Sequence, residues 1–234
     1  MTKLLILTGS GGYLGSKLSN KILGLNDIKL IKVTSNKSLT NKDTYNVNFK
    51  RSNSIIQFFK KIRKCYGEPD VLINNAAINT EKKFSDFIIN SSDKRILETY
   101  LVNSFGSLLF IKYFLKKKPN NNDKKKIVIN LLTRNVIIGG NRHVDYISSK
   151  AALYNATRTL ANDYKNVTFF NLLCGPFGYE KSLSNPDLIA NEIVKLIFLK
   201  TSCNYKDLYF ESNLNFIQFI IKNIYNYLKN IKNV

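Results

Sequence analysis

The stretch LLILTGSGGYLG, residues 4–15, decides the fold. Its first four residues are apolar without alternation, as in a strand buried on both faces. A glycine-rich turn follows at once, and the spacing after it predicts a helix over roughly 13–24. Glycines at such a turn let the backbone bend tightly and approach a pyrophosphate, which then sits on the helix N-terminus. Gly9, Ser10, Gly11, Gly12, Tyr13, Leu14 and Gly15 are therefore candidates for holding a dinucleotide. A tight turn that holds no ligand is the plainer alternative.

Strand-like and helical patterns alternate down the rest of the chain. IKLIKVT (28–34) reads as a second strand and TYNVN (44–48) as a short third. SIIQFFKKIRKCY (54–66) has helical spacing, with Ile55, Ile56, Phe59 and Ile62 on one face. DVLINNAA (70–77) is a buried strand running into a loop. A long helical stretch covers roughly 93–117, before the polar loop PNNNDKKK. KIVINLL (126–132), VTFFNLL (167–173) and DLYFE (207–211) are further strands, and a helix is expected at about 187–200. This alternation predicts a three-layer, doubly wound α/β domain of the Rossmann type, with a mostly parallel sheet between helices. We expect one such domain over 1–212 and an amphipathic helical extension over 213–234.

The bulk numbers agree. A chain of 234 residues with 44% hydrophobic residues can bury one full core. The apolar run at the N-terminus is too short for a signal peptide, and Cys65, Cys174 and Cys203 form no CxxC pair. Reduced thiols in a cytoplasm are the simple expectation. His143 is the one histidine, so no metal site is expected. The net charge of +20 would suit nucleic acid or an anionic membrane, but only six of the 36 cations are Arg. Arg is the residue of bidentate phosphate and base recognition. A lysine-rich composition is the simpler account, with anionic substrates next.

The dinucleotide reading places a carboxylate at the end of the second strand to hold a ribose hydroxyl. Here Ser35, Asn36 and Lys37 stand there instead. Room for a 2′-phosphate beside a lysine points to NADP, with NAD the alternative. A second chemical signal lies in DYISSKAAL (145–153), where Tyr146 and Lys150 are four residues apart. On a helix such residues are neighbours. A positive charge beside a phenol favours its anion, which makes a proton donor and acceptor. An exposed Tyr beside a solvated Lys is the common alternative.

Together these segments carry a resemblance. TGSGGYLG, NNAA (74–77), Asn103 in YLVNSFG and YISSK (146–150) resemble, in order and spacing, the motifs of the short-chain dehydrogenase/reductase family. The resemblance runs from the first strand to the strand at 207–211. It implies that Tyr146 is the general acid in carbonyl reduction, and that Lys150 lowers its pKa and holds the nicotinamide ribose. Thr133, thirteen residues before Tyr146, falls where that family has its catalytic Ser. It would bond the substrate oxygen. Asn103 would hold a relay water. Asn74 to Ala77 would brace the sheet beside the cofactor, with Asn75, Ala76 and Pro176 among the residues near it. The resemblance also implies a small carbonyl or alcohol substrate, and dimers or tetramers built through the helices at about 93–117 and 145–164.

The chain departs from the family in several places. Its glycine pattern, TGxxGxxG, is nearer the longer branch that modifies sugar nucleotides, whereas YISSK, NNAA and the length suit the shorter branch. Gly175 precedes Pro176 where the order is usually reversed, and Asn46 or Asn48 stands for the usual Asp after the third strand. The segment at about 177–186, which covers the substrate in the family, is short. These changes leave open a keto-sugar or a ketoacyl substrate. Arg134, Arg142 and His143 flank the site and could meet a substrate, although a surface Arg and a solvated His are the plainer readings. In the extension, Phe216, Phe219, Ile220, Ile224 and Leu228 form an apolar stripe. Packing on this domain or on a partner subunit is favoured over contact with a membrane surface. A non-catalytic dinucleotide sensor or a basic nucleic-acid-contacting protein is the competing class.

Overall fold

The computed structural model describes residues 2–79, 88, 91–116, 125–140, 143–175, 185–199, 201 and 203–210. Pro176, Arg142 and the 213–234 extension lie outside them. The strands are β1 (Lys3–Thr8), β2 (Ile28–Thr34), β3 (Thr44–Asn46), β4 (Val71–Asn74), β5 (Lys126–Thr133), β6 (Val167–Cys174) and β7 (Tyr205–Phe210). The helices are α1 (Tyr13–Leu23), α2 (Ser52–Tyr66), α3 (Asp93–Tyr100), α4 (Ser107–Leu115), α5 (Asn135–Ile138), α6 (Val144–Asp163) and α7 (Pro186–Phe198). The seven strands form one sheet in the order β3-β2-β1-β4-β5-β6-β7. Every strand pair is parallel. This is the three-layer doubly wound fold.

Strand alternation divides the core into two layers. Leu5, Leu7, Ile73, Ile129 and Phe170 meet Leu14, Leu18, Ile22, Ile189 and Ile193 on the α1/α7 side. Leu4, Ile6, Val128 and Phe169 meet Phe59, Phe110, Phe114 and Leu153 on the other. Both faces of the strands are thus buried, which is why LLIL and KIVINLL carry no polar alternation. In α2 the buried face is Ile55, Phe58, Phe59 and Ile62. Phe58 takes the place expected for Ile56, which is only partly buried. The expected helix at 93–117 is α3 and α4 joined by a π-helical turn, Leu101–Gly106. No helix among the described residues is long and apolar enough to cross a membrane.

One device in the sheet has no hydrophobic signature. Asn74, Asn130 and Asn171 stand opposite one another on β4, β5 and β6, each 1% exposed or less. The Asn74 amide donates to Asn130 Oδ1 at 2.9 Å, and Asn130 donates to Asn171 Oδ1 at 3.0 Å. Asn171 then donates to the Tyr205 hydroxyl at 2.9 Å, which donates to Asp207. Tyr154 of α6 donates to the other Asp207 oxygen at 2.7 Å. Buried amides need partners, and here each supplies the next across four strands. The ladder fixes the register of β4 to β7, and hence the level at which their C-terminal ends meet.

Candidate active site

The strand order reverses between β1 and β4, where ligands of open α/β sheets bind beyond the strands' C-terminal ends. Both segments singled out there are present: the turn after β1 and the loop after β4. Gly9 has φ +65°, a conformation that favours glycine. A Cβ on Gly9 would lie 2.7 Å from Ala76 Cα, and one on Gly15 would lie 2.1 Å from the Gly9 carbonyl oxygen. Such contacts leave room for no side chain. We expect Gly15→Ala to cost at least the ~1–3 kcal/mol typical of overpacking, read as a lower urea midpoint with weakened dinucleotide binding. An unchanged midpoint would mean that the turn is slack.

Thr8 ties these two segments together, and sequence reasoning missed it. Its hydroxyl accepts the Asn75 and Ala76 N–H groups, both at 3.0 Å, and donates to the Ile73 carbonyl. The Asn75 amide donates to the Thr8 and Gly9 carbonyls at 3.1 and 2.9 Å. Ser10 turns its hydroxyl inward, onto the Val33 carbonyl of β2, and Leu14 is buried in the core. Gly11, Gly12 and Tyr13 face outward, with Tyr13 56% exposed. Leu39 covers Gly11: a Cβ there would meet its Cδ1 at 2.6 Å. Past the end of β2, Ser35, Asn36 and Lys37 are all exposed. Asn36 Oδ1 accepts from the backbone and hydroxyl of Ser38, and so caps a short 3-10 turn. No carboxylate stands in this stretch. The glycine-rich cradle after β1, with no room for side chains at Gly9 and Gly15, fits a dinucleotide.

The candidate proton-transfer residues lie at the end of β5 and on α6. Lys150 is 2% exposed, which excludes the solvated reading. Its ammonium sits 5.9 Å from the centroid of the Tyr146 ring and donates to the Leu131 carbonyl at 2.8 Å. Burial pulls Lys150 down to about 8, partly opposed by the neighbouring Cys174. Burial likewise pushes the Cys174 thiol up to about 12. That thiol therefore stays neutral beside Lys150, a pairing the spacing of the cysteines did not reveal. Thr133 ends β5, where its hydroxyl accepts the Asn135 N–H at 3.3 Å. Arg134 and His143 are both partly buried. His143 opens α6 at φ +54°, and its Nδ1 is buried without a partner among the described residues.

Asn103 lies in the π-helical turn, a wide turn often found at functional sites. Its side chain serves the protein itself: Oδ1 accepts the Ile78 N–H at 2.7 Å, and Nδ2 donates to the Ile78 carbonyl and to Ser149 Oγ. Next to Tyr146, Asp145 is buried beside Arg95 of α3, 3.5 Å away, and accepts the Thr99 hydroxyl at 3.2 Å. That contact holds the first turn of α6, and nothing in the sequence pattern announced it.

The family comparison agrees with this geometry. Residues 6–180 match the family model described as short chain dehydrogenase. A relative from Thermotoga maritima, described as an uncharacterized oxidoreductase, is 28% identical over 152 residues. The match covers 62% of this chain but only 58% of the relative's length. An alcohol dehydrogenase from the archaeon Thermococcus sibiricus, complexed with 5-hydroxy-NADP, superposes with a TM-score of 0.76 at 19% identity. That superposition covers 91% of this chain and 97% of the other. A short chain dehydrogenase from Leptospira borgpetersenii with bound NAD+ gives 0.74 at 18% identity, covering 91% and 92%. Those two likenesses show the fold. The family model, spanning the glycine-rich turn, the NNAA loop and the Tyr146–Lys150 pair, shows more: this chain belongs to the short chain dehydrogenase family.

Proposed function

We infer that this protein is an oxidoreductase that interconverts a carbonyl and a secondary alcohol, with NADP(H) preferred over NAD(H). The observation that carries this reading is the buried Lys150 ammonium, 5.9 Å from the centroid of the Tyr146 ring. A buried cation costs stability, and here it faces a phenol that it would help to ionise. With Lys150 at about 8, the ammonium stays mostly charged at neutral pH. The cofactor, when bound, supplies the hydride. Tyr146 then delivers the proton to the carbonyl oxygen, and Thr133 donates a hydrogen bond to the same oxygen. Lys150 steadies the phenolate left behind and has two further N–H groups for the nicotinamide ribose. Gly9 to Gly15 would receive the pyrophosphate, Asn75 and Ala76 the nicotinamide half, and Ser35 to Lys37 a 2′-phosphate.

Keto-sugars and ketoacyl groups on an acidic carrier are the substrate classes that suit the glycine pattern and the charge. A homo-oligomer through α3, α4 and α6 is supported by Leu97 and Tyr100 of α3 and Phe105 of the π-helical turn, which stand 59%, 37% and 44% exposed. The test is a fluorescence titration with NADPH and NADH. NADPH is expected to bind at least tenfold tighter, and Lys37→Ala to narrow the gap. If neither nucleotide bound, the oxidoreductase reading would fall.

A further inference from the structure

Ser149 lies inside the YISSK segment, yet the chemistry above gives it no task. Its side chain is completely buried. Its hydroxyl donates to the Tyr146 carbonyl at 2.7 Å and accepts from Asn103 Nδ2 at 3.1 Å. A hydroxyl has one proton, so donating to Tyr146 leaves Oγ to accept from Asn103. The second Nδ2 proton goes to the Ile78 carbonyl at 2.9 Å, and the Ile78 N–H closes the pair on Oδ1 at 2.7 Å. Donors and acceptors match at every step. From the other side, the Ser104 hydroxyl of the π-helical turn donates to the Ser149 carbonyl at 2.9 Å.

Resting on the oxidoreductase reading, we propose that Ser149 is a positioning residue. Its hydroxyl is the link by which Asn103 and the loop after β4 hold the Tyr146 end of α6. Ile78 closes the NNAAI run (74–78), whose Asn75 and Ala76 are already bonded to Thr8 and Gly9. One path therefore joins the nucleotide-facing turn to the backbone of the proton donor. Asn103 acts along it by its side chain, through Ser149. The wide π turn contributes by carrying both Asn103 and Ser104 to the same serine. Ser149 touches no reacting atom and sets only where Tyr146 stands relative to Lys150.

The test uses the full chain with Ser149→Ala, which leaves a good helix former in place, and Ser149→Thr, which keeps a hydroxyl. Two quantities are read. The first is kcat with NADPH and a carbonyl substrate, beside the NADPH Kd. The second is the 13C resonance of Tyr146 in protein labelled at tyrosine Cζ, assigned by its loss in Tyr146→Phe. Ser149→Ala is expected to lower kcat about tenfold with the NADPH Kd changed less than twofold, and to move the Tyr146 resonance. Ser149→Thr is expected to restore both. A Tyr146 resonance unmoved in Ser149→Ala overturns the proposal, whatever kcat does, because the serine would not be acting through Tyr146. The resonance needs no turnover. A wild-type chain that reduced nothing would sink the oxidoreductase reading, while this readout would still decide the role of Ser149.

Discussion

Tyr146→Phe is expected to lower kcat by about 10²–10⁴-fold, the range that positioned general acids and bases supply. The NADPH Kd should stay within twofold and the melting temperature within a degree or so. Helix α6 is held by Ser149, by the Tyr154 bond to Asp207 and by the Asp145 contact with Arg95. None of these uses the Tyr146 phenol. Phenylalanine keeps the ring under the Lys150 ammonium, so packing should survive. What disappears is the proton for the carbonyl oxygen. Stopped-flow single turnover with NADPH would separate a slowed chemical step from slow release. A variant within tenfold of wild type would mean that another group delivers the proton, and partly buried His143 would be the first to examine.

Tyr146 could be singled out from the sequence because its partner lies one helical turn away. Short-range spacing of that kind survives in a one-dimensional string, as does a glycine-rich turn directly after an apolar run. The parallel sheet was legible for a similar reason: strands buried on both faces leave continuous apolar runs. What stayed hidden depends on register between distant segments. Thr8 reads as an ordinary strand residue until β4 is laid beside β1 and its hydroxyl meets Asn75 and Ala76. Asn74, Asn130 and Asn171 lie far apart in sequence, and only the strand register makes them a ladder. Phe58 in place of Ile56 is a shift within one helical face, set by the phenylalanines of α4 that α2 packs against. Asn103 falls in the π-helical turn beside α6, where its side chain is occupied by Ile78 and Ser149, and only the fold shows those partners.

The second large effect couples chemistry to stability at Lys150. Burial lowers its ammonium from 10.5 to about 8 and so makes the charged form costly, by roughly 3 kcal/mol at neutral pH, since a pKa unit corresponds to about 1.4 kcal/mol. The bond to the Leu131 carbonyl offsets part of the burial but does not remove the penalty. Lys150→Met keeps most of the side chain, one heavy atom shorter, and discards the charge. We expect it to abolish measurable turnover while raising the unfolding free energy by about 1–2 kcal/mol, or a few degrees in Tm at this size. The sign also fixes a pH signature. The folded-state value lies below the unfolded one, so between about 8 and 10.5 the unfolded chain holds more protons. Stability contributed by this group therefore rises as pH climbs through that window, and the full penalty applies below it. The difference between wild type and Lys150→Met should accordingly be largest below pH 8 and shrink toward pH 10. Urea unfolding of both proteins at pH 7, 8, 9 and 10 measures it. A variant less stable than wild type at pH 7 would show that the Leu131 bond outweighs desolvation, and that Lys150 helps to hold the fold as well as the chemistry. The expected result is the opposite: this chain tolerates a buried cation, at a cost to its own stability, because the proposed chemistry needs that charge beside Tyr146.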